Sequence, residues 1–143
     1  MSKPLQKNWT VYFDHAAVAT REHEKLKRVL SILGLVDCGS EDIPSQGVVT
    51  HFLKPSPSAP AVEILEIVDP QGVVAKFIDK KGPGIHHLSF RVSALDELSN
   101  ELRAQGIRLV YEKSMPGAHK TWVNFIHPES TGGVLIEISE KTP

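Results

Sequence analysis

The chain has 143 residues, of which 41% are hydrophobic and 23% charged, and its net charge is −1 at pH 7. This length suffices for one domain with a sound core or for two small fused halves. Sixteen basic residues balance seventeen acidic ones, without a basic run, which disfavours nucleic acid or an anionic membrane surface as a partner. The single cysteine, Cys38, excludes an internal disulfide and a cysteine-rich zinc site.

The sequence gives no sign of export or membrane insertion. No apolar run approaches the ~20 residues of a membrane span, and residues 1–8 lack the apolar centre of a signal peptide. We therefore expect a cytoplasmic protein without a membrane partner, which also suits a chain with one cysteine.

The first half of the chain alternates strand and helix patterns. Aromatic and β-branched residues predict a strand over 9–19. Apolar residues at helical spacing then predict a helix over 22–33 that ends at Gly34. Three further strands and a short helix are predicted over 35–43, 47–54, 61–68 and 73–80.

The second half repeats this plan. The stretch GPGIHHLSFRV at 82–92 predicts a strand in which His87 and Ser89 share one face, because side chains alternate along a strand. A helix that ends at Gly106 follows. The remaining segments are predicted as a strand over 107–111, a loop with the sequence MPGAHK, and strands over 122–126 and 134–139.

A duplication relates the two halves. The pairs at a constant separation are His15 with His87, Leu26 with Leu98, Leu30 with Leu102 and Gly34 with Gly106. EILE at 63–66 corresponds to EISE at 137–140, with two residues gained between them. We therefore predict an α+β fold of two βαβββ repeats, about 9–80 and 82–140, in a single domain over 1–143.

The duplication also predicts a metal site. Each repeat supplies one histidine near the start of its first strand and one glutamate in its last strand, and pairing the two sheets would bring four side chains into one trough: His15, Glu63, His87 and Glu137. Two imidazoles and two carboxylates suit Co²⁺, Mn²⁺, Ni²⁺ or Zn²⁺ with open positions for a chelating substrate. A single strand glutamate is more often an exposed polar residue, but four residues at equivalent places favour the metal site.

Four longer phrases carry a family resemblance: QGVV at 46–49, VAKFI at 74–78, GPGIHHLSFRV at 82–92 and HPESTGGVLIEI at 127–138. Together they resemble the methylmalonyl-CoA epimerase family of the vicinal oxygen chelate superfamily, and the similarity extends over 13–138. The resemblance implies a glyoxalase-like open barrel around a metal trough, Co²⁺ as the favoured metal, and a homodimer. It implies the same four ligands that the duplication selects.

The resemblance implies the chemistry as well. The substrate would be an acyl-CoA thioester, and the reaction would interconvert (2S)- and (2R)-methylmalonyl-CoA by proton transfer at C2 through a metal-stabilised enolate. A metal ion there would neutralise charge that develops on the thioester oxygen. Epimerisation needs proton removal from one face and return on the other, hence usually two bases. Glu137 is the candidate for one of them.

The sequence departs from the family pattern at two places. Some members carry a glutamate after QGVV, where this chain has Thr50, a poor base; His51 is next along the strand and is expected to be a surface histidine. The family's GAHGK or GAGGK loop becomes GAHKT at 117–121, so that Lys120 replaces a glycine. The candidate substrate contacts are Thr50, His119, Lys120, Gly132 and Gly133.

Two alternatives stay open. A glyoxalase-I-type lactoylglutathione lyase uses a similar quartet of ligands. Its family carries the pattern HTxxR at the first ligand, with the arginine serving glutathione, whereas the fourth residue after His15 in this chain is Ala19. A non-catalytic small-molecule-binding protein of the same fold is the other alternative. Such proteins generally lack the four ligands that this sequence contains.

Overall fold

A computed structural model describes residues 8–143. The expectation that residues 1–8 are not a signal peptide concerns residues 1–7, which lie outside the described range, and residue 8. The regular elements in chain order are β1 (Val11–Thr20), α1 (His23–Leu33), β2 (Val36–Ile43), β3 (Val48–Lys54), β4 (Ala61–Ile67), α2 (Val73–Lys81), β5 (Gly84–Val92), α3 (Leu95–Ala104), β6 (Met115–Gly117), β7 (Thr121–Ile126) and β8 (Ile136–Lys141). This order contains βαβββ twice, with α2 between the copies. Among the described residues, no helix combines the length and apolar character needed to span a membrane.

The structure divides into two compact units. One is Asp14–Ser89, and the other consists of Phe90–Pro143 and the described residues of Met1–Phe13. The single domain over 1–143, built from the two repeats, stays a prediction.

In the unit Asp14–Ser89 the strand order is β2-β3-β4-β1. β2 and β3 are antiparallel, as are β3 and β4, whereas β1 runs parallel to β4. One face of this sheet packs on α2 through a core cluster of Ala17, Ala19, Val48, Leu65, Val74 and Ile78. Burial of this face fixes the register of β1, whose alternate residues from His15 to Ala19 are buried.

The other unit repeats this order. The end of β5 is followed across the sheet by β8, β7 and β6, just as β1 is followed by β4, β3 and β2. β7 is antiparallel to both β6 and β8. Leu95, Leu98 and Leu102 of α3 pack with Val92 and Ile138 in the core of this unit. The equivalent order in each unit confirms the duplication predicted from the sequence.

The predicted strand over 107–111 is wrong. This segment runs beside β7 but forms only an isolated bridge, between Leu109 and Ile126. The side chain of Asn124 occupies the place of a ladder partner, because its Oδ1 accepts from the N–H of Tyr111 at 3.1 Å and its Nδ2 donates to the carbonyl of Tyr111 at 2.9 Å. The strand β6 forms instead in the segment predicted as the MPGAHK loop.

Candidate active site

The parallel pairing of β1 with β4 positions two of the predicted ligands. Glu63 lies opposite Ala17 in the register, and His15 is two residues before Ala17, so both side chains are on the same face of the sheet. His15 is 6% exposed and Glu63 is 8% exposed. The local sequence therefore buries an imidazole and a carboxylate side by side.

The two ring nitrogens of His15 contact different residues. Its Nδ1 lies 2.9 Å from Glu63 Oε2 and 2.8 Å from Asp14 Oδ2. Its Nε2 lies 3.2 Å from Nε2 of His87, the third predicted ligand of this unit. A Nδ1–H donated to a carboxylate leaves the Nε2 lone pair directed at His87. This is the carboxylate–histidine arrangement that orients metal-binding imidazoles in proteins.

The two Nε2 atoms fit one divalent ion. Metal–nitrogen bonds of about 2.0–2.1 Å place two histidine nitrogens roughly 3 Å apart, close to the distance seen between His15 and His87. Burial holds the pKa of His87 well below its usual range, and the neighbouring His15 and His86 lower it further. His87 therefore stays neutral, which is the state that binds a metal.

His86 contacts His87 at the ring nitrogen that does not face His15. The Nδ1 atoms of the two rings are 2.9 Å apart, and the His86 ring packs edge-on against Phe77 with 4.8 Å between centroids. Burial lowers the pKa of His86 to about 4, so its ring is a neutral partner at pH 7. If His87 donates its Nδ1–H to His86, its Nε2 carries the lone pair.

Glu137 lies in the other unit, on β8 opposite Phe125 of β7. It is half-buried. The structure thus gathers His15, Glu63 and His87 within the unit Asp14–Ser89, with Glu63 on the Nδ1 side of His15. The assignment of these residues and of Glu137 as metal ligands stays a prediction.

Thr50 has a carboxylate neighbour that sequence reasoning missed. Thr50 is buried on β3, and the register places Glu41 of β2 directly opposite it. Glu63 lies opposite Phe52, two residues along β3, so Glu41, Thr50 and Glu63 share one face of the sheet. Glu41 is half-buried. Counting back across the turn between β2 and β3 would have found it.

The remaining candidate contacts are exposed turn residues. His119 and Lys120 lie between β6 and β7 and have left-handed φ values of 54° and 55°. Gly132 and Gly133 also have positive φ, of 75° and 108°, in the turn before β8. The N–H of Gly133 donates to the carbonyl of Pro128 at 2.8 Å, so this amide already has a partner within the turn. Substrate contact by these four residues and by Thr50 stays a prediction.

His51 points to the face opposite Thr50, as expected, but it is half-buried rather than fully exposed. This side chain is only 14% exposed, and its Nε2 lies 2.8 Å from Oε1 of Glu66. The ring also stacks on His23 of α1, with 5.5 Å between centroids and 11° between the planes. A surface position was expected because the strand pattern alone does not show that α1 covers this face.

Comparison with known proteins finds close relatives. Residues 14–125 match the model of the Glyoxalase/Bleomycin resistance protein/Dioxygenase superfamily. The crystal structure of methylmalonyl-CoA epimerase from Mycobacterium tuberculosis has 39% sequence identity and a TM-score of 0.85, over 92% of this chain and 88% of that chain. The mitochondrial methylmalonyl-CoA epimerase of Bos taurus is 30% identical over 129 residues, which are 89% of this chain and 73% of that protein.

A further solved structure contains a bound molecule. It is a variant of Streptomyces coelicolor methylmalonyl-CoA epimerase in complex with 2-nitronate-propionyl-CoA. The sequence identity is 25% and the TM-score is 0.84, over 92% of this chain and 97% of that chain. Both structures therefore match this chain over nearly its whole length.

Proposed function

Because the chain belongs to the Glyoxalase/Bleomycin resistance protein/Dioxygenase superfamily, we propose that it is a metal-dependent epimerase that interconverts (2S)- and (2R)-methylmalonyl-CoA. The observation that carries this proposal is the likeness to methylmalonyl-CoA epimerases over 92% of the chain, at 39% identity to the M. tuberculosis enzyme. The buried pair of His15 and His87 adds a donor set suited to this chemistry.

A divalent ion would be held by the four predicted ligands, His15, Glu63, His87 and Glu137. Glu63 contacts Nδ1 of His15 in the structure, so it would have to leave that contact to Asp14 in order to reach an ion between the two Nε2 atoms. Imidazole and carboxylate ligands suit several divalent ions; the family resemblance favours Co²⁺ in this proposal, with Zn²⁺, Mn²⁺ and Ni²⁺ as the other candidates. When bound, the ion supplies Lewis-acid stabilisation of the negative charge that develops on the thioester oxygen. Asp14 and His86 would orient the two imidazoles through their Nδ1 atoms.

Two carboxyl groups of the chain would move the proton at C2. Glu137 is the proposed base on one side of the substrate. Glu41 is the proposed second group, because it lies beside Thr50 on the face that also bears Glu63. One carboxylate removes the C2 proton while the other, as the carboxylic acid, returns a proton to the opposite face. The roles exchange when the other epimer is the substrate.

The proposal is tested by deuterium exchange at C2 of a single methylmalonyl-CoA epimer in D₂O. Co²⁺-loaded protein, chelator-stripped protein and a sample without protein are compared while the stereochemistry is followed. We expect metal-dependent exchange accompanied by inversion. Absence of exchange above the uncatalysed background, with bound metal demonstrated, contradicts the proposal.

Glu41→Gln tests the second proton-transfer group. We expect inversion to fall by a factor of about 10² or more, the usual contribution of a general acid or base, while exchange from one epimer persists. Asp42→Asn is the matched control, because Asp42 is the next residue of β2, is exposed and points to the opposite face. Unchanged inversion in Glu41→Gln contradicts the role of Glu41.

His87→Ala tests the metal site without relying on activity. We expect the variant to lose one equivalent of Co²⁺ per chain, measured by elemental analysis after desalting, because one of the two converging nitrogens is removed. His119→Ala is the control for metal content, since His119 is an exposed histidine. Equal metal content in His87→Ala and the wild type would contradict the assignment.

We also propose a cytoplasmic homodimer. The family resemblance supports a dimer, and an exposed apolar surface at the end of α1 suits one: Ile32, Leu33 and Val36 are 75%, 70% and 61% exposed. Light scattering after size-exclusion chromatography is expected to give twice the chain mass of 15.8 kDa. A particle of the chain mass contradicts the dimer. The variant Leu33→Lys places a charge on this apolar surface, and a dimer that persists in it would show that the interface lies elsewhere.

Lactoylglutathione lyase is the competing activity for the same donor set. It is tested with the hemithioacetal of methylglyoxal and glutathione under the conditions of the exchange experiment. We expect no turnover above background, because this chain has Ala19 at the position where the lyase family carries an arginine that binds glutathione. Turnover of this substrate without exchange of methylmalonyl-CoA would replace the epimerase proposal.

A further inference from the structure

A second cluster of potential metal ligands lies on the opposite face of the same sheet. His51 of β3 and Glu66 of β4 alternate with Thr50 and Leu65, which lie on the face of the sheet that bears His15 and Glu63. His23, the first residue of α1, covers them from above the sheet. All three residues belong to the unit Asp14–Ser89.

The geometry of this cluster suits one small cation. Glu66 Oε1 lies 2.8 Å from His51 Nε2 and 3.6 Å from His23 Nε2, and one donor atom from each residue lies within 4.8 Å of the others. The two imidazole rings are stacked almost in parallel, so both can direct an Nε2 toward the same carboxylate. Metal–nitrogen and metal–oxygen bonds of about 2.0–2.2 Å require ligand atoms roughly 3 Å apart, which a small contraction would provide.

The environment favours an ionised carboxylate without enclosing it fully. The side chains of His23, His51 and Glu66 are 23%, 14% and 30% exposed, so the cluster is open to solvent. The hydrogen bond from His51 holds the pKa of Glu66 below its usual range, against a smaller opposing effect of burial; His23 and Lys27 also lower it. A further carboxylate is near, because Glu24 Oε1 lies 3.1 Å from His23 Nε2.

We propose that His23, His51 and Glu66 form a second divalent-metal site, distinct from the His15 and His87 pair, that takes Zn²⁺ or Ni²⁺. Two imidazoles and one carboxylate, with Glu24 or water as a fourth ligand, are a common donor set for these ions. The proposal does not depend on the epimerase function, because none of these residues belongs to the proposed catalytic site.

The site would fasten α1 to the sheet. No residue of α1 is fully buried, so this helix has little apolar attachment of its own. The three ligands come from α1, β3 and β4, and a bound ion would therefore join three elements that are separated in sequence. Binding to the folded state alone would raise the melting temperature in proportion to the logarithm of the metal concentration.

Zinc titration calorimetry on the full chain, with elemental analysis of the desalted protein, tests the proposal. The variants are Glu66→Gln, His51→Gln and His87→Ala, with His119→Ala as an exposed control. We expect the first two variants each to bind one equivalent of Zn²⁺ fewer than the wild type, and His87→Ala to retain the second site. Circular dichroism verifies folding, and Glu66→Gln keeps the shape of the side chain in case His51→Gln does not fold.

A second readout separates binding at this cluster from binding at the other histidine pair. In a His87→Ala background, Zn²⁺ is expected to raise the melting temperature, and adding Glu66→Gln is expected to abolish this rise. Stoichiometry that is unchanged in both Glu66→Gln and His51→Gln overturns the proposal. So does a zinc-induced rise that is the same with and without Glu66. In either case the cluster is a hydrogen-bonded contact between α1 and the sheet.

Discussion

At the scale of single residues, Lys120 is held in a conformation that favours glycine. Its φ is 55°, and a left-handed conformation costs an L-residue with a side chain roughly 1–2 kcal/mol. The carbonyl of Lys120 accepts hydrogen bonds from the N–H and the hydroxyl of Thr142, at 3.0 and 2.6 Å. These contacts fix the loop in the strained conformation.

Lys120→Gly is therefore expected to stabilise the protein by about 0.5–1 kcal/mol. The relief of strain exceeds the roughly 0.5–1 kcal/mol that glycine loses through its greater freedom in the unfolded chain. Urea denaturation of the variant measures the difference. Lys120→Ala is the control, because alanine loses the charge but keeps the strain; equal stabilisation by both substitutions would show that the strain is not the cause.

The sequence predicted the residues of the candidate site that the duplication repeats, and missed those that only the folded chain brings near. His15 and His87 occupy equivalent places in the two repeats, as do Glu63 and Glu137, and the structure gathers His15, Glu63 and His87 in one unit. Asp14, His86 and Glu41 have no such repeated signal. Their proximity follows from the side-chain rotamers and the register of β2 with β3, which periodicity does not specify.

At the scale of elements, α1 is attached to β2 by an ion pair. Lys27 Nζ lies 2.9 Å from Asp37 Oδ2. The hydrogen bond from Lys27 holds the pKa of Asp37 below its usual range, and the N–H of Gly39 lowers it further. A carboxyl whose pKa is lower in the folded state stabilises the fold above its unfolded pKa, near 4, and this stabilisation is lost as the pH falls through the folded value.

Asp37→Asn is therefore expected to lower the free energy of unfolding at pH 7 by less than about 1 kcal/mol. The Asp37 side chain is 44% exposed, so solvent screens the pair and keeps the effect small. The difference from the wild type should shrink below pH 4 and vanish once Asp37 is protonated. Thermal or urea unfolding at pH 7 and pH 3 measures it, with Lys27→Met for a double-mutant cycle. A difference of the same size at both pH values would contradict this explanation.

Most elements were predictable because their local patterns agree with their burial. The helix α1 ends before Gly34, whose φ is 109° and whose N–H caps the helix, as its sequence position predicted. The segment 107–111 has the apolar residues of a strand, and two backbone hydrogen bonds join it to β7 on either side of Leu109. At Tyr111 the backbone bonds instead to the side chains of Asn124 and Arg103, which ends the pairing. Side-chain hydrogen bonds of this kind cannot be found from apolar pattern alone.

At the scale of the whole molecule, metal loading is expected to change stability as well as activity. A ligand that binds only the folded state at 100 times its dissociation constant adds about 2.7 kcal/mol. For a chain of this size that corresponds to a rise of roughly 5–10 °C in melting temperature. Differential scanning calorimetry with Co²⁺ and with a chelator measures it, and His87→Ala together with Glu66→Gln is expected to abolish the rise. A full rise in that double variant would place the bound metal elsewhere.

The parallel pairing of β1 with β4 has a consequence for folding. The connections between β2, β3 and β4 are local in sequence. β1 and β4, in contrast, are separated in sequence by α1, β2 and β3, so their pairing closes a large loop. Closing such a large loop before its contacts form slows folding and makes this pairing a late event. Because His15 and Glu63 meet through this pairing, a nascent or refolding chain would assemble the proposed metal site only near the end of folding.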